Sequence, residues 1–281
     1  MRLGIFVPYK NQEHYETLMA FSNGIRIHGD TFFTNDILAG YKQCDVAVTF
    51  GIPKHATSRG QLVERIWKSH GDKPRLVIEK GFVKRNEYYM VGFGGLNGRA
   101  SYNNEGSPAD RWKQLGVELQ PWKEGGEYIL VCGQVPWDAS VQHTDYKRWV
   151  IKTLIRLPKF TDIPIVFRPH PLQKTAIDVR HLKHVKIDCE GTLQEAVQKA
   201  ATVVTFNSNS GVEAVIEGVP VVTCDKGSMV YEIANNDIER VDNPLTPARR
   251  AWAYNLAYTQ WTRDEMKKGL PWGHLRDANL G

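Results

Sequence analysis

The chain has 281 residues, of which 42% are hydrophobic and 24% are charged. This length and composition are typical of a soluble globular protein with two modest domains or one large one. The sequence contains no internal repeat and no low-complexity segment, which excludes a solenoid and a disordered chain. The net charge of +5 is compatible with an anionic partner but does not require one.

The N-terminal residues and the cysteines point to an intracellular protein. Residues 1–16 offer only about six apolar residues before polar ones return, which is too few for a secretory signal or a membrane span. We therefore expect a cytoplasmic protein that makes no contact with a membrane. The cysteines are widely separated and lack metal-binding spacing, so we expect reduced thiols. They are Cys44, Cys132, Cys189 and Cys224.

The first part of the chain alternates short apolar runs with amphipathic ones. The runs at 2–8, 45–51 and 75–79 predict buried strands, and those at 12–22 and 59–69 predict helices. Strands that alternate with helices of this length indicate a parallel sheet covered on both faces.

A second series of the same kind follows an intervening region. Between residues 84 and 122 the composition changes to Tyr, Gly and Asn, which predicts hairpins and loops. A linker is expected near residues 120–126, which include the Gly-rich stretch 123–126. Beyond it, strands are predicted at 128–132, 163–167, 185–187, 203–205 and 219–223, and helices at 145–156, 192–200 and 210–217.

Two consecutive series predict an α/β protein with two doubly wound, Rossmann-like domains. The boundaries place one domain at 1–122 and the other at 123–245, and leave a terminal segment at 246–281. That segment contains a helical stretch at 247–268, rich in Trp, Tyr and Ala, which we expect to cross between the domains. Ligands of such sheets bind beyond the carboxyl ends of the strands.

The stretch FRPHP, residues 167–171, directly follows a predicted buried strand. Each proline holds the residue before it in an extended conformation. Arg168 suits bidentate contact with a phosphate, and His170 can donate a further hydrogen bond. The alternative is that Arg168 pairs with a protein carboxylate and that His170 caps the strand end.

The run from Asn207 to Glu213 joins a predicted strand to a predicted helix. Ser210 or Asn209 is a natural N-cap, and the free N–H groups of a helix start favour an anion. Gly211 would allow a ligand to approach the backbone closely, and Glu213 could accept hydrogen bonds from ribose. The alternative is an ordinary helix cap with a carboxylate placed favourably for the helix dipole.

FRPHP followed by TFNSNSGVEAVIEGVPVVT resembles the C-terminal domain of GT-B glycosyltransferases, particularly the capsule-polysaccharide type with R-x-H-P and S-x-x-x-E-A-x-x-x-G-x-P-V-V. The resemblance covers roughly residues 126–235. It implies a GT-B-like fold in which 123–245 binds a nucleotide sugar, with a UDP-sugar as the expected donor, and 1–122 binds the acceptor. It also implies a hexosyltransferase or related enzyme. The donor-binding residues that it implies are Arg168, His170, Asn207, Ser208, Ser210, Gly211 and Glu213.

The N-terminal half resembles phage-encoded proteins through IEKGF, GGLNGRA and LAYTQWTRDEM. Bacteriophages use GT-B enzymes to glycosylate hydroxymethylated pyrimidine bases in their own double-stranded DNA, in the host cytoplasm. This acceptor is compatible with cations that contact phosphates and with aromatic rings on which a flipped base stacks. The candidate cations are Lys80, Lys84, Arg85 and Arg99, and the candidate rings are Tyr88, Tyr89, Phe93 and Tyr102. The alternative is a twisted hairpin with a solvated basic face.

An inverting transfer needs a carboxylate to take the proton of the attacking hydroxyl. The candidates are Asp30, which is expected at a strand end in the cleft, and Asp36 and Glu79. Glu79 could instead form an ion pair with Lys80. No DxD pair is present, so we expect no obligatory metal.

Other functions remain open at this point. The acceptor could be a capsule-type polysaccharide or another saccharide. A nucleotide-sugar epimerase, or a DNA-binding protein without catalytic activity, would also be compatible with parts of the pattern.

Overall fold

The computed structural model describes residues 1–173, 175 and 177–276. The chain divides into two compact units. The N-terminal unit consists of Met1–Leu115 together with the segment that begins at Ala253, and the C-terminal unit is Gly116–Trp252.

The strands and helices alternate along most of the chain. The strands are β1 (Arg2–Val7), β2 (Thr31–Asp36), β3 (Val46–Phe50), β4 (Arg75–Lys80), β5 (Tyr88–Phe93), β6 (Tyr128–Cys132), β7 (Ile165–Arg168), β8 (Val185–Ile187), β9 (Ala200–Thr205), β10 (Val221–Thr223) and β11 (Gln260–Thr262). The helices are α1 (Gln12–Ile25), α2 (Ser58–His70), α3 (Asp110–Leu115), α4 (Tyr146–Arg156), α5 (Leu193–Lys199), α6 (Ser210–Ile216), α7 (Arg250–Ala257), α8 (Arg263–Lys267) and α9 (Leu270–Leu275).

The sheet of the N-terminal unit has the strand order β11-β5-β4-β3-β1-β2. Strands β1 to β4 are parallel to one another, whereas β5 and β11 join antiparallel at one edge. Successive side chains of β1 point to opposite faces of the sheet. Ile5 packs with α1, α8 and α9 on one side, and Phe6 packs with α2 on the other. The predicted sheet with helices on both faces is therefore confirmed.

The sheet of the C-terminal unit has the order β10-β9-β6-β7-β8, and all its pairs are parallel. Numbered from its own first strand, this is the order 3-2-1-4-5 of the doubly wound dinucleotide-binding folds. Val131, Val150, Phe167 and Val204 are among the buried side chains of its core.

The terminal segment is not the single long helix that its composition predicts. Helix α7 ends at Ala257, and residues 260–262 then pair with β5 as β11. Thr262 and Glu265 form a reciprocal capping box that starts α8, and Gly269, at a φ of 74°, separates α8 from α9. The segment from 253 onward therefore completes the sheet and core of the N-terminal unit, because Trp261, Met266 and Trp272 are buried there.

Candidate functional site

The C-terminal sheet changes winding direction between β6 and β9. The chain proceeds from β6 to β7 and β8 on one side, then returns to β9 and β10 on the other. At such a reversal the two connections diverge and leave a crevice outside the carboxyl ends of the strands. Gln134 follows β6 and Asn207 follows β9, so both lie at this switch point.

Gln134 and Asn207 join the two sides of the switch point by hydrogen bonds. The Gln134 amide donates to Asn207 Oδ1 at 2.8 Å, and the Asn207 backbone N–H donates to Gln134 Oε1 at 3.2 Å. Asn207 Nδ2 also donates to Ser140 O and to Asp225 Oδ1, both at 2.8 Å. Both amides are buried. The polar atoms of the Asn207 side chain are thus bound to protein groups, and donor binding by Asn207 stays a prediction.

Asp225 extends this network to a histidine. Its Oδ1 also accepts from the backbone N–H of Gly227 at 2.9 Å, and its Oδ2 lies 3.0 Å from Nε2 of His143. Asp225 is buried, whereas the side chain of His143 is 40% exposed. The imidazole also lies against the ring of Phe206. The result is an imidazole held in one orientation at the rim of the crevice, where its ring can take part in hydrogen bonds.

The loop after β6 supplies a second carboxylate. Asp138 Oδ1 accepts from the backbone N–H of Ser140 at 3.0 Å and from its hydroxyl at 2.8 Å. Asp138 is half-buried. The sequence reasoning did not select Gln134, Asp138, His143 or Asp225, although the polar run GQVPWDAS directly after an apolar strand was a signal that could have identified the first two.

Arg168 lies at the carboxyl end of β7, but its guanidinium is engaged by the protein. Nη1 donates to Asp188 Oδ2 at 2.6 Å and to Glu190 O at 2.7 Å, and Nη2 donates to Gly191 O at 2.6 Å. The carboxylate partner considered in the sequence analysis is therefore present. His170 follows in the loop, half-buried, where its Nδ1 accepts from the backbone N–H of Leu172 at 3.2 Å.

The turn before α6 is built largely from local contacts. The backbone N–H of Ser208 donates to Thr205 Oγ1, and that of Ser210 donates to Ser208 Oγ, both at 3.2 Å. A Cβ on Gly211 would lie 3.1 Å from Val230 Cγ2 and 3.5 Å from Thr205 Cγ2. The missing side chain thus allows α6 to pack closely on the sheet, and the approach of a ligand to the backbone at Gly211 stays a prediction.

Glu213 lies one turn inside α6 and is half-buried. Its Oε1 accepts from Asn209 Nδ2 at 3.0 Å. This contact resembles the helix-start alternative, and the ribose contact stays a prediction.

Two cysteines lie beside the crevice. Burial raises the pKa of Cys132 to about 12 and that of Cys224 to about 11. Both thiols are therefore protonated at neutral pH, which excludes them as thiolate nucleophiles in this state of the protein.

The three predicted catalytic carboxylates lie in the N-terminal unit, and the expected place of Asp30 is wrong. Asp30 precedes β2 and therefore lies at the amino edge of the parallel sheet, away from the edge where ligands bind. It is buried, and it accepts hydrogen bonds from the N-terminal ammonium group and from the Trp272 indole, both at 2.8 Å. These partners lower the pKa of Asp30 despite its burial, which raises it. Asp30 is an internal structural carboxylate.

Asp36 and Glu79 do lie near the carboxyl edge. Asp36 ends β2, and its Oδ1 accepts from the backbone N–H of Leu38 at 2.9 Å. Glu79 is the penultimate residue of β4, and its Oε1 accepts from the backbone N–H of Lys80 at 3.0 Å. The Lys80 ammonium pairs with Glu13, and the alternative of an ion pair between Glu79 and Lys80 stays open.

The aromatic residues of the predicted DNA surface are buried and cannot stack on a base. The rings proposed to stack on a flipped base are all buried: Tyr88, Tyr89, Phe93 and Tyr102. The predicted cations other than Lys80 are exposed, namely Lys84, Arg85 and Arg99. Lys84 and Arg85 form the turn between β4 and β5, as the hairpin alternative supposed.

Within residues 1–173, 175 and 177–276, no group of three or more His, Cys, Asp or Glu side chains could hold a metal ion. None of the helices described for the chain has the length and apolarity needed to cross a membrane.

The site of the C-terminal unit lies in a segment that matches a protein-family model. Residues 108–236 match the family model described as capsule polysaccharide biosynthesis protein. This segment contains the whole Gln134–Asn207–Asp225 network. No curated protein matches the chain in sequence.

Solved structures resemble the chain over nearly its whole length. Thermosulfurimonas dismutans KpsC, beta Kdo 2,4 transferase, is 15% identical with a TM-score of 0.61, covering 93% of this chain and 92% of that chain. The beta Kdo 2,7 transferase of KpsC from the same organism is 16% identical with a TM-score of 0.56, covering 96% and 98%. The fold predicted from the sequence is confirmed: the chain has the GT-B fold, with two Rossmann-like sheets.

Proposed function

We propose that the protein is a glycosyltransferase that transfers a sugar from a nucleotide-sugar donor to a saccharide acceptor of the capsule-polysaccharide type. The observation that carries this proposal is the buried Gln134–Asn207–Asp225 network at the switch point of the C-terminal sheet. It lies inside the segment that matches the capsule polysaccharide family model, on a GT-B fold.

The donor would bind in the crevice outside β6 and β9. The network holds the loops after these strands in place, and His143 stands at its rim. His143 and His170 are the side chains that we assign to the phosphate of the donor, because an imidazole can donate a hydrogen bond to the departing nucleotide. Fixed donors of this kind stabilise developing charge without reorganisation during the reaction.

Arg168 would act indirectly. Because Asp188 and two backbone carbonyls occupy its guanidinium, it holds residues 188–191 against the end of β7. We propose it as a positioning residue for the donor crevice.

A saccharide acceptor is favoured over hydroxymethylated pyrimidine bases in DNA. The DNA hypothesis needs exposed rings for a flipped base, and the rings selected for it are core residues of the N-terminal unit. The similarity to a capsule polysaccharide family model favours a saccharide independently.

The test is a transfer assay with the full chain. UDP-, GDP- and CMP-activated sugars are supplied with saccharide acceptors, and products and released nucleotide are quantified by mass spectrometry. The panel includes nucleotide-activated Kdo, because the similar structures are described as Kdo transferases. Glycosylated saccharide is expected. Interconversion of the free nucleotide sugar without transfer would indicate an epimerase instead.

A matched pair of variants connects the activity to the site. His143→Asn should reduce transfer about tenfold or more, since it removes an oriented donor from the crevice. His181→Asn changes an exposed histidine of the same unit and should leave transfer unchanged. Equal activities of the two variants would contradict the assigned donor site.

A further inference from the structure

The N-terminal sheet has a switch point of its own. Its parallel strands run in the order β2-β1-β3-β4, so the winding direction reverses between β1 and β3. This is the position at which flavodoxin-like sheets bind their ligands. Helices α1 and α2 follow these two strands, and His14 and Arg59 lie in their first turns.

His14 is held firmly at this position. It is 7% exposed, and its ring stacks on Phe50, the last residue of β3, with centroids 3.7 Å apart and an interplanar angle of 10°. Arg59 Nη1 lies 2.8 Å from its Nδ1 and 3.3 Å from its Nε2. Burial, followed by the charge of Arg59, lowers the pKa of His14 to about 4, so the ring is neutral at pH 7.

The pair has more donors than acceptors. A guanidinium can only donate, so the ring nitrogen that meets Arg59 is the acceptor and the other carries the proton of the neutral imidazole. Among the described residues, Arg59 is the only polar partner of either ring nitrogen, so this N–H has no protein acceptor there. A ligand with acceptor oxygens would supply the hydrogen bond that the protein does not.

Neighbouring carboxylates do not neutralise Arg59. The titratable groups that act on His14 are Arg59 from α2, Glu13 from α1 and Lys80 from β4. Glu13 is occupied by the Lys80 ammonium and by the Tyr89 hydroxyl, at 2.9 Å in the latter case. In the part of the chain that the structure describes, no carboxylate lies within ion-pair distance of Arg59.

We propose that His14 and Arg59 bind an acid group of the acceptor, a carboxylate or a phosphate monoester. This assignment rests on the proposed function, since it names the chemical class of the acceptor. Arginine offers two parallel N–H bonds to either group, and the imidazole N–H adds a third. The positive ends of α1, with 14 residues, and α2, with 13, favour an anion at the same place.

The proposal is tested by NMR titration of the full chain. The ring resonance of His14 is assigned by its loss in His14→Gln, and glucuronate, glucose 1-phosphate and neutral glucose are added in turn. At least one acid sugar should shift the His14 resonance saturably, and glucose should not. The acid sugar that binds more tightly identifies the group as carboxylate or phosphate.

Variants on one helix provide the control. Arg59→Gln should weaken binding of the acid sugar roughly ten- to hundredfold, the usual effect of losing a charge-assisted hydrogen bond. Arg59→Lys keeps the charge without the planar fork and should fall between. Arg65→Gln removes an exposed arginine of α2 and should bind as the unmodified chain does. The other histidine resonances report whether each variant is folded.

Binding should also take up protons. A bound anion stabilises the imidazolium, so it raises the pKa of His14 above about 4, and affinity for glucuronate, which stays ionised in this range, should increase as the pH falls from 7 towards 5. The proposal is overturned if neither acid sugar binds more tightly than glucose, or if Arg59→Gln binds them normally. If an acid sugar binds at His14 but no donor supports transfer, only the proposed function is contradicted. If sugar is transferred to a neutral acceptor and the His14 resonance does not respond, only this inference is contradicted.

Discussion

The two sheets have the same kind of switch point but place different chemistry there. In the C-terminal sheet, Gln134 and Asn207 satisfy one another and Asp225 across the reversal. In the N-terminal sheet, Arg59 donates to the His14 ring, and the described residues place no carboxylate within ion-pair distance of Arg59.

This difference indicates what each position is prepared to do. A buried network whose members all have partners is rigid, and it can orient neighbouring groups such as His143. His14 is buried and Arg59 is half-buried, and a ligand with acceptor oxygens can bind to N–H groups that no carboxylate of the protein occupies. The strand order therefore locates both sites. The balance of hydrogen-bond donors and acceptors distinguishes them: the C-terminal network acts as a scaffold, and the N-terminal pair is suited to bind a ligand.

The largest expected effect is the loss of Asn207. Asn207→Ala leaves Gln134 and Asp225 buried without their shared partner, so the free energy of unfolding should fall by ~2–4 kcal/mol. Transfer should fall roughly hundredfold, since small displacements of a site have effects of that order. Urea unfolding followed by circular dichroism, together with the transfer assay, measures both.

Asn243→Ala is the matched control, because Asn243 is an exposed asparagine of the same unit. It should change neither quantity. If Asn207→Ala were as stable and active as this control, the network would not be the scaffold that the comparison assumes.

The next effect is the contribution of His14 to the pH dependence of stability. Its pKa is about 4 in the folded protein against an ordinary 6.5, so below pH 6.5 the unfolded chain binds a proton that the folded chain does not. Stability should therefore fall between pH 6.5 and pH 4, by ~3 kcal/mol in full. Urea unfolding at pH 7 and pH 4.5 measures this loss.

In His14→Gln most of this extra loss should disappear, whereas the exposed His181→Gln should behave as the unmodified chain does. Added glucuronate should restore part of the stability of the unmodified chain at low pH, because it favours the imidazolium. Parallel pH curves for the unmodified chain and His14→Gln would contradict the neutral, buried state of this histidine.

The sequence predicts the fold better than it predicts the site. Apolar runs such as 128–132 and 203–205 mark buried strands, because a strand covered on both faces must be apolar throughout. The terminal stretch 247–268 is misread as one helix, because its Trp and Ala residues suit a helix locally. Pairing of 260–262 with β5 overrides that preference, and local patterns do not contain such long-range contacts.

Site residues are harder because their partners are distant in sequence. Arg168 resembles a phosphate ligand until Asp188 is seen beside it, and Asn207 is separated by 73 residues from Gln134. His14 and Arg59 lie 45 residues apart and form no motif. Only the strand order brings the members of such pairs together, so a short pattern can select a single member but cannot show which residue is its partner.

Arg168 provides a smaller and more discriminating test of the donor edge. Arg168→Gln and Asp188→Asn should each destabilise the protein by ~1–3 kcal/mol, with a coupling energy of ~1–2 kcal/mol in the double variant. A double-mutant cycle in urea, with donor affinity measured by calorimetry, tests this expectation.

Donor affinity separates the two roles of Arg168. A positioning role predicts that both single variants weaken donor binding similarly, because each releases residues 188–191. A direct phosphate contact predicts a ten- to hundredfold loss in Arg168→Gln and no loss in Asp188→Asn. The second pattern would identify Arg168 as a residue that contacts the donor phosphate directly.

The smallest effect is expected at the basic turn between β4 and β5. Lys84 and Arg85 are exposed, and salt screens surface charges of this kind. The double variant Lys84→Asn with Arg85→Gln should therefore change transfer to a saccharide less than twofold. Asparagine is chosen at Lys84 because it tolerates the φ of 49° found there. Lys147→Gln with Arg148→Gln, an exposed pair on α4, is the control.

Filter binding of hydroxymethylated duplex DNA over a salt series completes the test. Neither double variant should change the amount of duplex retained, because the protein is expected to lack affinity for the duplex. DNA would be the acceptor if the duplex binds in a salt-sensitive way, if only the Lys84 and Arg85 variant abolishes this binding, and if sugar is transferred to the modified base. The anion bound by His14 and Arg59 would then be a backbone phosphate instead of the acid group of a sugar.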